Sequence, residues 1–225
     1  MNQITEALNQ LNPTAEDALG DSSTFSPRRW KTGWPHHLRR VPPFRDDASA
    51  SLTRSEVFLF AEDVARSEFN RDQIIDFLGA AFAYGAGQSP AVLTLQQFLR
   101  NKSNANKLLQ AIRGLDGKAP AEQYAALAET GLPAKFASQL AYFLAGPQSA
   151  GDEKPVIICS RRAAMAGLDK GSGKDGAWTA EEYGEYLTRL RAARDEYNPE
   201  LPLDAVEWAV WKFANDPANQ TAGEK

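Results

Sequence analysis

The chain has 225 residues, 43% of them apolar and 24% charged, with 25 basic against 29 acidic side chains and a net charge of −4. That apolar share is enough for one good core or two small lobes around a cleft, while the acidic balance excludes a protein that coats nucleic acid by bulk charge. One cysteine, Cys159, excludes an internal disulfide framework, and the richest apolar stretch, Ile74 to Ala86, is short and holds Asp76, which excludes a bilayer span. The opening segment lacks the apolar run of a signal peptide, so a cytoplasmic address is expected.

In chain order, Met1 to Asp21 reads as a weak helix or a disordered lead, and Ser22 to Ser51 as an irregular arm rich in Pro, Ser, Asn and Arg. Trp30 and Trp34 predict that the arm packs on the body, because exposed indoles in a free tail are costly. Thr53 with Glu56 is a capping-box pair that opens a helix through Val57, Phe58, Ala61 and Val64. Further helices are expected over Asn70–Tyr84, from Pro90 to about Leu99, over Asn104–Arg113, over Ala121–Glu129 behind Pro120, and over Ala134–Ala145. Val156-Ile157-Ile158 reads as extended chain leading into a helix over Ser160–Ala166, and Lys170 to Gly176 as a mobile Gly/Lys/Ser loop. Thr179 with Glu182 repeats the capping box for a helix to about Tyr197, and Pro202 starts the last one. No repeat is visible and no alternation lasts long enough to build a sheet. The expected organisation is all-α: an arm over 1–51, a helical body over 52–215 with a helical hairpin at about 120–145, and a disordered tail over 216–225.

Several candidate sites have bland alternatives. The basic clusters Arg28, Arg29, Lys31, Arg39, Arg40, Arg45 and Lys154, Arg161, Arg162, Lys170, Lys174 read either as phosphate contacts or as solvated faces. Gly171-Ser172-Gly173-Lys174 lacks the frame of a phosphate loop, and adjacent His36 and His37 with a lone cysteine give no metal set, so neither metal nor cofactor is expected. The aromatics Trp30, Trp34, Tyr84 and Phe136 serve either as core or as the walls of a pocket that stacks an extruded base.

The most informative segment is Ala119 to Phe143, a helix, the turn Gly131-Leu132-Pro133-Ala134, and a second helix starting Lys135-Phe136-Ala137-Ser138. It resembles the helix-hairpin-helix of base-excision glycosylases, whose G-h-G-x-K pattern turns backbone N–H groups toward a phosphate and sets a Lys at the mouth of a base pocket. Pro133 stands where the second glycine is usual, which removes a donor, and read alone G-L-P-A-K is a common way to join two helices. The neighbouring segments strengthen the likeness. Tyr84-Gly85-Ala86-Gly87, Ser138 to Phe143, Ile157 to Ala164, Glu182 to Leu187 and Val206-Glu207-Trp208 follow, in order, the elements of the compact bacterial 8-oxoguanine glycosylase-fold family, whose members often lie near defence genes.

The resemblance implies an all-α helix-hairpin-helix DNA glycosylase-like bundle that excises a damaged or modified base, 8-oxoguanine or a modified base of phage DNA, without a cofactor. Its catalytic Lys falls on Lys135, or on Gln139 if the later register is the guide. The family's Asp falls on Cys159, or on Ser160 with the gap one residue later, so Asp76 and Glu207 become the substitute carboxylates. Gln139, Cys159, Ser160, Arg161, Tyr84 and Phe136 are the expected pocket, and Gly131, Pro133, Arg162, Arg39 and Arg40 the expected DNA contacts. The rival expectations are a catalytically silent module that binds modified nucleic acid or an operon-encoded protein partner, and a helical interaction protein with no nucleic-acid role.

Overall fold

The computed structural model describes residues 3–168, 171–173 and 176–220. Thirteen helices and one two-stranded ribbon occupy these residues. The expected all-α class holds, and no helix among the described residues is long and apolar enough to cross a membrane.

The lead is folded as α1 (Gln3–Leu11) and α2 (Ala15–Gly20). A capping box explains the second: Thr14 accepts from the Asp17 amide while the Asp17 carboxylate accepts from the Thr14 amide. Ile4, Ala7 and Leu8 of α1 are buried, and both helices pack on α12 (Leu203–Asn215) from the far end of the chain. The segment read as an irregular arm contributes β1 (Ser22–Phe25), α3 (Pro27–Gly33) and β2 (Ala50–Thr53). The strands pair antiparallel from Ser22 opposite Thr53 to Phe25 opposite Ala50. Strands of only four residues are too short for a period-two pattern to stand out in the sequence, and Ser22, Ser23 and Thr24 of β1 give no apolar alternation, which is why the sequence did not show them. Trp30 and Trp34 are buried edge to face, 6.3 Å between ring centroids, as expected of an arm packed on the body.

The body follows the sequence reading closely. The helices are α4 (Arg54–Arg66), α5 (Arg71–Ala86), α6 (Ala91–Arg100), α7 (Lys102–Arg113), α8 (Pro120–Ala128), α9 (Ala134–Leu144), α10 (Ser160–Met165) and α11 (Ala180–Tyr197), while a short α13 (Pro217–Gln220) falls within the stretch expected to be a disordered tail. Capping boxes at Thr53 and Thr179 start α4 and α11 as predicted. Helix α7 opens two residues early because Asn101 accepts from the amides of Ser103 and Asn104. Helix α5 is buried nearly all round and packs on α4, α9 and β1, forming the centre of one lobe. Helices α1, α2, α10 and α11 gather on α12 as the second. Val156 to Ile158 is extended and buried, pinned where the Tyr183 hydroxyl donates to the Val156 carbonyl and the Tyr186 hydroxyl to that of Ile157. Of the expected loop and tail, residues 170, 174, 175 and 221–225 lie outside the described residues.

Candidate functional site

The hairpin between α8 and α9 sets the first functional side chain. Gly131 adopts φ +87°, a left-handed conformation that a side chain would strain, and Leu132 is buried beneath the turn while Gly131 and Pro133 stay exposed. Pro133 caps α9 without a side-chain bond, and its carbonyl accepts from the amides of Phe136 and Ala137. Lys135 is therefore held in the first turn of α9. Its Nζ donates to the Gly85 carbonyl at the end of α5, 2.7 Å away, and lies 5.5 Å from the centre of the Phe136 ring. Burial, reinforced by the nearby charge of Arg162, pushes the Lys135 amine below the ordinary lysine range. A lysine shifted this way exposes a free lone pair at a lower pH than a surface lysine does.

Lys135 belongs to the walls of two cavities. One, about 230 Å³, lies between the lobes and takes Asp21 and Ser22 from β1 and its approach, Tyr84 and Gly85 from α5, Gln139 from α9, and Arg162 and Trp211 from α10 and α12. The other is a cleft of about 1040 Å³ along the hairpin, with Gly131, Pro133, Cys159, Ser160 and Trp178 in its walls. Gln139 is 1% exposed; its amide donates to the Ala81 carbonyl while its Oε1 has no hydrogen-bond partner among the described residues.

A buried charge cluster backs the smaller cavity. Glu207, fully buried, takes Arg54 Nη1 at 2.7 Å on one oxygen and the Arg162 guanidinium on the other, and that guanidinium lies over the Trp211 ring at 4.3 Å. Burial works to depress Arg54, but the Glu207 carboxylate, with Tyr84, Tyr142 and Asp21 adding to it, holds the guanidinium well above its ordinary value. Arg54 Nε donates to the Tyr84 hydroxyl, which donates to Asp21 Oδ2 at 2.7 Å; Lys212 Nζ reaches Asp21 Oδ1 at 2.7 Å. Burial works to raise the Asp21 carboxyl, yet the hydrogen bond from Lys212, the charge of Arg54 and the hydrogen bond from Tyr84 together hold it below the usual carboxylate range.

The structure brings Lys135, Gln139, Tyr84 and Arg162 to one cavity. Arg162, read from sequence as a phosphate contact, sits in that wall, buried on Glu207. Cys159 caps α10 without a side-chain bond and, with Ser160, faces the hairpin cleft; Arg162 Nη1 donates to its sulfur at 3.4 Å. Phe136 is buried edge to face with Phe82. Arg161 is exposed and bonded to Asn215. Asp76 is elsewhere: it binds Arg40 in a groove of the arm lined by Lys31, Trp34, His36 and Arg39, with no share in the Lys135 cavities. Arg40 is thereby neutralised, whereas Arg39, left-handed at φ 58°, is exposed. Glu207, the other substitute carboxylate, is locked between two arginines. Sequence reasoning missed Asp21, Arg54, Trp211 and Lys212. No local pattern pairs Arg54 with a residue 153 positions away, and that pairing exists only once α4 and α12 are folded together.

The fold and site define a two-lobed helical protein with a lysine at the junction of a helical hairpin and a polar interlobe cavity. The profile of the family described as "Putative 8-oxoguanine DNA glycosylase OGG-like protein" matches residues 16–211, and the chain belongs to this family. Membership points to DNA glycosylase activity in general and to DNA as the substrate. No curated protein and no solved structure matches the chain.

Proposed function

We propose that the protein is a DNA N-glycosylase that extrudes a damaged or modified base into the cavity of about 230 Å³ and cuts its glycosidic bond, leaving an abasic site. The observation that carries the reading is Lys135, half-buried, depressed below the ordinary lysine range, and set where the hairpin cleft meets the polar cavity. Its neutral amine attacks C1′ of the extruded nucleotide as the C1′–N bond breaks and the electron pair leaves with the base. One amine proton neutralises the departing base. The C1′–O4′ bond then breaks as the second amine proton passes to O4′, giving an imine between Nζ and C1′, and water hydrolyses it to the abasic sugar and free Lys135.

The hairpin, with Gly131 and the first-turn amides of α9, contacts a phosphate, and exposed Arg39 on the arm adds another. Substrates are 8-oxoguanine or a modified base of phage DNA, the latter placing the protein in antiviral defence in the cytoplasm. Single-turnover incubation with duplexes containing 8-oxoguanine, hydroxymethylcytosine or glucosylated cytosine tests it. Abasic sites made by the wild type and absent with Lys135→Ala are the expected result; no product on any substrate sinks the reading.

One observation favours a second reading. The α10 cap is Cys159, and Glu207 is sequestered by Arg54 and Arg162, so neither provides a free carboxylate beside Lys135. A silent module would bind such duplexes equally with and without Lys135→Ala and release no base.

A further inference from the structure

We propose that Asp21 is the specificity-determining residue of this site, reading adjacent N–H donors on the edge of the extruded base and so selecting a guanine-type base over a cytosine-type one. The inference rests on the glycosylase reading above and adds to it the chemistry of the base.

Among the described residues, Asp21 is the one acidic side chain in the wall of the smaller cavity. Its carboxylate is fixed rather than free to rotate: the Tyr84 hydroxyl holds Oδ2 and Lys212 holds Oδ1, each at 2.7 Å. A carboxylate oxygen has a second lone-pair direction, so both oxygens retain one acceptor site while their orientation is set. Tyr84 is itself oriented by the buried Arg54, which ties Asp21 through Arg54 to Glu207 in the core. A pre-oriented carboxylate that keeps its charge is a bidentate acceptor.

The rest of the wall mixes donors, among them the cations Lys135, Arg162 and Lys212, with a few neutral groups, so Asp21 carries its negative charge alone. Gln139 is 1% exposed, its amide nitrogen is spent on the Ala81 carbonyl, and its Oε1 is packed against Gly85 with no hydrogen-bond partner among the described residues. The Gly85 carbonyl becomes a free acceptor when Lys135 leaves it to react. Trp211 offers an aromatic wall to a base.

Complementarity then selects the ligand. The Watson–Crick edge of guanine sets N1–H beside the exocyclic N2 amine, two neighbouring donors for one carboxylate. Cytosine offers only its N4 amine, beside an N3 acceptor that would face the Asp21 charge across the same gap. Sites built on buried hydrogen-bonding groups reject ligands that leave those groups unpaired.

The test compares single-turnover excision by the wild type and Asp21→Asn on three duplexes, carrying 8-oxoguanine, its analogue without the 2-amino group (8-oxohypoxanthine), or hydroxymethylcytosine. The wild type is expected to release 8-oxoguanine about 10- to 100-fold faster than 8-oxohypoxanthine, the range for a hydrogen bond to a charged group. Asp21→Asn should slow 8-oxoguanine by a similar factor and 8-oxohypoxanthine, which keeps N1–H alone, by distinctly less, and so shrink the ratio. A merely structural defect would slow both substrates together. Thermal melting checks that the variant is folded, and Lys212→Met, which frees the carboxylate to rotate, should reduce the ratio without removing it. An unchanged ratio in Asp21→Asn, or wild-type release of hydroxymethylcytosine alone, overturns the assignment of Asp21 while leaving the glycosylase reading standing. No product from any duplex overturns both.

Discussion

Replacing Glu207 by Gln removes the charge that bridges two buried guanidinium groups while changing the volume of the side chain very little. Arg54 and Glu207 are fully buried and Arg162 is nearly so, so the variant leaves cations in the core that solvent reaches poorly. Breaking a buried pair by neutralising one partner costs about 3–5 kcal/mol. With an unfolding entropy of about 2.1 cal/mol/K per residue, a loss of about 4 kcal/mol lowers Tm by roughly 8 °C for a chain of this length. Far-UV circular dichroism during heating reads the shift, and a urea titration checks that the midpoint moves with an unchanged slope. Combining the change with Arg54→Met should cost less than the two single losses added together, because the double variant no longer buries the Arg54 charge. A Tm within about 2 °C of wild type for Glu207→Gln would refute the claim that this cluster is desolvated and mutually dependent.

The depressed Lys135 amine predicts that the single-turnover rate rises with pH along a limb below the ordinary lysine range, and that Arg162→Gln moves this limb to higher pH by removing a neighbouring cation. The Asp204 carboxyl is raised to about 6, chiefly by burial and despite the charge of Arg54 and the hydrogen bond from Tyr142. Because the folded value exceeds the unfolded one, the native state binds the extra proton and stability falls as pH climbs from about 4 to about 6. Asp204→Asn should flatten that slope in denaturant titrations across the window, and an undiminished slope would count against it. At the hairpin, Gly131→Ala imposes a side chain on φ +87° and should lower stability by about 1–2 kcal/mol, measured by chemical denaturation. If Arg39 contacts a phosphate, Arg39→Ala should reduce the slope of log affinity against log salt by about one unit for any duplex sequence.

Local signals in the sequence were enough for most of the helices. Thr53 with Glu56, Thr179 with Glu182, Asn70 before α5 and Pro120 at the start of α8 are capping devices that act within one turn, so their meaning does not depend on the rest of the molecule. The hairpin was legible for the same reason: Gly131 and Pro133 fix a turn, and the turn fixes Lys135 in the first turn of α9. The lead was harder because α1 is only nine residues and draws its stability from packing on α12, a partner nearly two hundred positions away.

What the sequence by itself determined, then, is the helical class, the hairpin and the position of Lys135, all consequences of backbone preference and spacing over a few residues. Only the tertiary structure decided which groups surround that lysine. Folding the N-terminal segment onto α12 carries Asp21 to Lys212, and Arg54 reaches Glu207 across the core, while Asp76, equally acidic on paper, is drawn to Arg40 in another groove. Charge in a sequence has no direction; burial and the nearest counter-charge give it one, and both arise from contacts between residues far apart in the chain.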